Sequence, residues 1–204
     1  MDKFAGKYRI PSARASWWDY ASDGAYFVTI CAANHECYFG EIVNGEMIYN
    51  EIGSIANQYW LDIPFHFPFV TLGAHIVMPN HVHGIVVINR TNVDNGVATV
   101  DGFVETHNYA SLPSERTPTT TTIPSEMPQS PTKNKFGPQS KNLASIIRGY
   151  KSAVKTYATT EGLLFAWQSR FHDHIIRDDA EYRRIEQYII TNPQNWGKDK
   201  FYRG

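Results

Sequence analysis

Apolar and polar positions along the chain alternate with two different periods, and the switch between them lays out the elements. Ala25 to Cys31 (Ala-Tyr-Phe-Val-Thr-Ile-Cys) is a run of β-branched and aromatic residues that predicts a strand. Tyr38–Val43 and Glu46–Tyr49 flank Asn44-Gly45, the dipeptide that most strongly signals a two-residue hairpin. Asn50 then stands where a helix N-cap belongs. Ile52, Ile55, Ala56, Tyr59, Trp60 and Ile63 follow at helical spacing, and Pro64 ends or kinks that helix. Val70–Met78 and Val82–Ile88 predict two more strands, broken at Pro79-Asn80.

Between about residues 90 and 140 the periodicity vanishes. The stretch is rich in Thr, Pro, Ser and Asn, which bury too little apolar area to offset the entropy of ordering. It is expected to be a flexible insertion in a single domain spanning 1–204, not a second domain. The pattern resumes with a helical stripe of Leu143, Ile146, Ile147, Tyr150, Val154 and Tyr157. Leu163–Trp167 and Phe171–Ile176 are strand-like. Asp178 or Asp179 caps a last helix with Tyr182, Ile185 and Ile189 on its apolar stripe, and Asn192-Pro193 stops it. The order is β-β-β-α-β-β, insertion, α-β-α. The hairpin signals make the sheet antiparallel, with helices mainly on one face: an α+β sandwich.

An apolar content of 42% and an aromatic content of 14% support a buried core. No apolar run reaches the roughly 20 residues of a membrane helix. The N-terminal stretch has no signal-peptide core, so a cytoplasmic protein without membrane contact is expected, with Cys31 and Cys37 as reduced thiols. A net charge of −1 argues against indiscriminate duplex binding but leaves room for a local basic groove. Three basic groups are candidates: Lys3, Lys7, Arg9 and Arg14; Arg148, Lys151 and Lys155; and Arg170, Arg177, Arg183 and Arg184.

Three segments carry candidate chemistry. In Pro79-Asn80-His81-Val82-His83-Gly84, two histidines at i and i+2 of a strand share one face with Cα atoms about 7 Å apart. That spacing suits chelation of a divalent ion, and it equally suits two half-exposed surface histidines. Gly84 allows something to approach the backbone closely. A zinc hydrolase site is a further possibility, although no third histidine or Asp-His pair follows. In the segment Tyr188-Ile189-Ile190-Thr191-Asn192-Pro193, Tyr188 and Asn192 share a helix face, which makes Asn192 a candidate third ligand. The third segment is Phe165-Ala166-Trp167-Gln168-Ser169-Arg170-Phe171-His172-Asp173-His174. It holds a competing His-x-His pair, and its Trp167 and Phe171 are able to stack on unpaired bases or to pack in the core.

These segments, with Tyr26-Phe27-Val28-Thr29 before them and His174-Ile175-Ile176-Arg177 among them, occur together and in one order. The combination resembles the REP-associated tyrosine transposases, relatives of the insertion-sequence transposases in the HUH single-strand endonuclease superfamily. The resemblance runs from about Asp19 to Trp196, apart from the insertion. It implies a ferredoxin-like α+β fold with the histidine pair on a central strand. It also implies a Mg²⁺ or Mn²⁺ ion held by His81, His83 and Asn192, with Tyr188 as nucleophile and Tyr150 and Tyr157 as weaker rivals. The implied partner is single-stranded or hairpin DNA, nicked and rejoined through a 5′-phosphotyrosine by a monomer or homodimer. Arg148, Lys151, Lys155, Trp167, Arg170, Arg177 and Arg184 are the candidate DNA contacts. The alternative is a hairpin-binding protein with little or no catalysis. Ser169 stands where the family often has Pro.

Overall fold

The central sheet has four antiparallel strands, in the spatial order Val70–Met78, His81–Ile88, Gly24–Cys31 and His172–Ile176. The computed structural model describes residues 18–90 and 141–202 in full and, for residues 3–4 and 7–8, the backbone alone. The insertion expected at 90–140 lies, from residue 91 on, outside the described residues, as do the side chains of Lys3, Lys7, Arg9 and Arg14.

In chain order the elements are β1 (Lys3–Phe4), β2 (Lys7–Tyr8), β3 (Gly24–Cys31), β4 (Gly40–Val43), β5 (Glu46–Tyr49), α1 (Glu51–Leu61), α2 (Ile63–His66), β6 (Val70–Met78), β7 (His81–Ile88), α3 (Leu143–Thr160), β8 (His172–Ile176) and α4 (Asp179–Thr191). Setting aside the small β1–β2 and β4–β5 ladders, the path is β-α-β-β-α-β with the order of a ferredoxin-like split β-α-β unit. The protein is therefore an α+β sandwich.

Local chemistry accounts for the boundaries. Asn44 (φ 54°) and Gly45 (φ 80°) both occupy the left-handed region, as the tight β4–β5 turn requires. The side chain of Asn50 accepts from Gly53 N and caps α1. Asn142 and Ser145 form a reciprocal capping box at α3, which sequence reading had passed over. Asp178, not Asp179, caps α4 by accepting from Glu181 N. The first helix breaks at Asp62, and Pro64 sits in the first turn of α2, where its missing N–H costs nothing.

Leu163–Trp167 differs from the expected strand. It meets the sheet through one isolated bridge, Ala32 to Trp167. The ammonium of Lys155 bonds the carbonyl of Phe165 at 2.7 Å, and that of Lys151 bonds the carbonyl of Gln168 just beyond the segment at 2.6 Å, so lysines of α3 stand where a neighbouring strand would pair.

The sheet has two apolar faces. Tyr26, Val28, Ile30, Val82 and Val86 pack under α1 and α3, joined by Trp60, Tyr150 and Val154. On the other face Phe27, Ile85 and Ile176 pack against Ile185 and Ile189 of α4. A Cβ on Gly84 would come within 2.2 Å of the Trp60 ring, so the close approach expected at this glycine is made by α1.

Candidate metal centre

His81 and His83 lie on β7 facing α4, in the central part of the sheet. Both are buried, at 0% and 1% exposure, so they are not the half-exposed surface pair that the spacing also allows. Their ring centroids are 4.4 Å apart. Asp199, in the segment after α4, completes the group. One ligand atom from each of His81, His83 and Asp199 falls within 4.8 Å of the others, an arrangement able to hold a metal ion. Among the described residues no other such group of histidine, cysteine and carboxylate occurs.

Each histidine is oriented through its other nitrogen. Nδ1 of His81 lies 2.8 Å from Oδ1 of Asn80, and Nδ1 of His83 lies 2.9 Å from Oγ1 of Thr29 on β3. This leaves the two Nε2 atoms facing the group. Nε2 of His83 lies 3.3 Å from the hydroxyl of Tyr188, while Nε2 of His81 is buried without a partner. Burial pushes the His81 imidazole down to about 4, against the opposing pull of Asp199. Burial and the neighbouring His81 hold His83 well below the ordinary value. Both rings are accordingly neutral at physiological pH, the form that binds metals.

Asn192 follows α4 and is 3% exposed. Its amide N–H donates to Oδ2 of Asp199 at 3.2 Å, and its Oδ1 is buried without a partner. The backbone N–H of Phe201 donates to Oδ1 of Asp199 at 2.7 Å. Two buried polar atoms are left without a partner: Nε2 of His81, a member of the group, and Oδ1 of Asn192, whose amide nitrogen bonds the Asp199 carboxylate. A buried polar atom left without a partner is costly, and a hard divalent cation satisfies this N and O donor set. The residues present fit such an ion.

Tyr188 stands at the rim. It is 42% exposed, with its ring 5.4 Å from His83 and edge-on to Phe27. It opens onto a cleft of about 220 Å³ lined also by Asn192, Asn195, Lys198, Asp199 and Lys200. Burial raises its hydroxyl above the ordinary tyrosine value and Asp199 adds to the rise, while Asn192 opposes it.

The rival tyrosines face elsewhere. Tyr150 is buried in the α1–α3 core with its hydroxyl on Ala56 O, and Tyr157 donates to Glu51 at 2.8 Å. The rival pair His172 and His174 lies on the exposed edge strand β8. There Nε2 of His174 pairs with Glu181 at 2.8 Å, outside any metal-ready group among the described residues.

The candidate DNA contacts divide in two. Lys151 and Lys155 bond backbone carbonyls, and Trp167 packs against Phe39, Tyr150 and Phe165 while donating to Lys151 O. Arg148, Arg170, Arg177 and Arg184 are exposed. Sequence reading missed Asp199. Its position in a polar, aromatic tail seven residues past Asn192 gave no periodic signal.

The chain matches no protein-family model. An uncharacterized protein of Haemophilus influenzae is 35% identical over 199 residues, which cover 97% of this chain and 96% of that protein. A solved REP-associated tyrosine transposase bound to a REP hairpin has the same fold. Its TM-score is 0.50 and its identity 17%, over 92% of this chain and 77% of that one.

Proposed function

This chain belongs to one family with the uncharacterized Haemophilus influenzae protein, and we propose, on the site and the fold, that it nicks and rejoins single-stranded DNA beside hairpins, as a REP-associated tyrosine transposase. One observation carries the reading. The hydroxyl of Tyr188 lies against a histidine pair and a carboxylate, beside two buried acceptors left without a partner, in a fold shared with a protein solved on a REP hairpin.

His81, His83 and Asp199, with Asn192 beside them, would hold Mg²⁺ or Mn²⁺, and the bound ion would supply polarisation of a phosphate oxygen and stabilisation of charge in the transition state. Tyr188 Oη attacks the phosphorus in line. The bond to the 3′-oxygen breaks, and that oxygen leaves as a hydroxyl with the electron pair and a proton. The 5′-phosphate stays esterified to Tyr188. Attack by a 3′-hydroxyl reverses the step, so rejoining consumes no nucleotide. Tyr188 loses its proton as it attacks; with the Nε2 lone pair of His83 committed to the ion, the acceptor facing it is the Asp199 carboxylate.

Arg170, Arg177 and Arg184 are exposed around the start of β8 and α4, and they would meet the DNA backbone. Arg148 is a further exposed candidate; Lys151, Lys155 and Trp167 serve the fold first. The 90–140 stretch is read as an insertion in one cytoplasmic domain. Its two ends are joined where Arg90 Nη2 donates to Lys141 O.

A second reading is that the chain binds hairpins without cutting them. The packing of Trp196 and Phe201 against His81, with centroids 6.0 and 4.7 Å away, favours it because it closes the histidines from solvent. Incubating the chain with labelled hairpin-bearing single-stranded DNA and Mn²⁺ separates the two. A tyrosine-linked adduct on a denaturing gel is expected. A mobility shift without an adduct means a binder, and the absence of both adduct and shift rules out both readings.

A further inference from the structure

Asn80 ends the turn between β6 and β7, and it is completely buried. Its amide nitrogen donates to two backbone carbonyls, His35 O at 3.0 Å and Phe201 O at 2.8 Å. Carbonyls only accept, so the nitrogen must lie on that side and Oδ1 on the other. Oδ1 in turn lies 2.8 Å from Nδ1 of His81, and an amide oxygen only accepts. The His81 proton therefore resides on Nδ1, and the lone pair of the neutral ring is on Nε2, the buried atom that has no partner.

The same side chain reaches the third member of the group. Phe201, whose carbonyl Asn80 holds, donates its own N–H to Asp199 Oδ1. It also stacks on His35, the residue that supplies the second carbonyl, with centroids 5.4 Å apart. One buried amide thus joins the loop after β3, the turn before β7 and the segment that carries Asp199.

We infer that Asn80 is the positioning residue that assembles the metal group: its acceptor selects the His81 tautomer that offers Nε2, and its donors anchor the chain segment that delivers Asp199. The inference rests on the metal-site reading above and extends it to a residue that never touches the ion. Partners of this kind are worth roughly 10–100-fold in metal affinity.

The test uses full-length, ion-free protein with ¹⁵N-labelled histidine, and long-range ¹H–¹⁵N correlation to read each ring's tautomer. In the natural chain His81 must carry its proton on Nδ1; finding it on Nε2 overturns the inference without any variant. Asn80→Ala should mix the tautomers and weaken Mn²⁺ binding about 10–100-fold by calorimetry. Asn80→Asp keeps an acceptor for Nδ1–H but loses both donors, so it should retain the tautomer and still bind Mn²⁺ more weakly. If Asn80→Ala does not fold, Asn80→Asp decides alone. Val154→Ala, in the α3 core, is the control for simple loss of stability and should leave tautomer and affinity unchanged. An unaltered tautomer in Asn80→Ala, or Mn²⁺ affinity within twofold of the natural chain in both variants, sinks the inference. None of these readouts involves DNA. A chain that never forms a DNA adduct can still support the role of Asn80, and an active chain can still refute it.

Discussion

The hydroxyl of Tyr188 lies 3.3 Å from Nε2 of His83, across the gap between α4 and β7. In the covalent chain they are 105 residues apart. The sheet register sets one of them and the packing of Ile185 and Ile189 sets the other. A nucleophile placed this way has a defined signature. Tyr188→Phe removes one hydroxyl at a 42% exposed position. Stability should change by no more than about 1 kcal/mol, and hairpin binding should persist. The covalent DNA adduct should disappear. Peptide mapping that finds the adduct in Tyr188→Phe on Tyr150 or Tyr157 moves the chemistry off α4 altogether.

Asp199 and Asn192 compete for the role of third ligand, and truncation ranks them. A carboxylate contributes a full charge that an amide oxygen lacks, and water substitutes more readily for the neutral group. Asp199→Ala should therefore weaken Mn²⁺ binding by about tenfold or more, or roughly 1.4 kcal/mol. Asn192→Ala should have the smaller effect, acting partly through its bond to Asp199 Oδ2. Calorimetric titration of Mn²⁺ into each variant checks the order, and a larger loss in Asn192→Ala reverses the assignment.

Much of this site is legible in the amino-acid sequence. The His-x-His spacing on an apolar strand placed two imidazoles on one side, and they do share a face. Asn44-Gly45 and Asn50 forecast a turn and a cap from backbone chemistry alone, and both occur. What stayed hidden depends on distant packing. Leu163–Trp167 has strand-like composition, yet Lys155 of α3 bonds its Phe165 carbonyl and Lys151 the next carbonyl beyond it, that of Gln168. Burial of His81 comes from Phe201 and Trp196, in a tail with no period to read. Asp199 enters the group through the same tail, so its membership follows from tertiary contacts that local spacing does not encode. Gly84 was readable as a point of close approach, but nothing local named Trp60 as the neighbour.

That neighbour yields a prediction. Trp60 is fully buried and is packed by His75 and Tyr150, with centroids 6.1 and 5.2 Å away, so its ring has little room to retreat. Gly84→Ala brings a methyl into the indole and should destabilise by about 1–3 kcal/mol through overpacking. Urea unfolding measures it. A variant as stable as the natural chain shows that α1 shifts easily and that Gly84 is not what sets its distance from β7.

The last prediction concerns acid. His81 and His83 are held neutral by burial, with folded values below the ordinary histidine value and His81 at about 4. Between roughly pH 6.5 and 4 the unfolded chain takes up protons that the folded chain refuses, so stability must fall as pH falls through that window. The slope approaches about 1.36 kcal/mol per pH unit once the unfolded histidine is mostly protonated, so His81 alone accounts for roughly 1.5 kcal/mol between pH 6.5 and 5, before most carboxylates begin to titrate. His83 adds loss in the same direction. Equilibrium unfolding in urea at several pH values gives the slope, and His81→Gln removes one of the two titrating groups. The natural chain should lose stability steeply from pH 6.5 to 5, and the variant visibly less so. Equal slopes would mean that His81 is protonated in the fold at pH 5, and a protonated ring has no lone pair with which to bind an ion there.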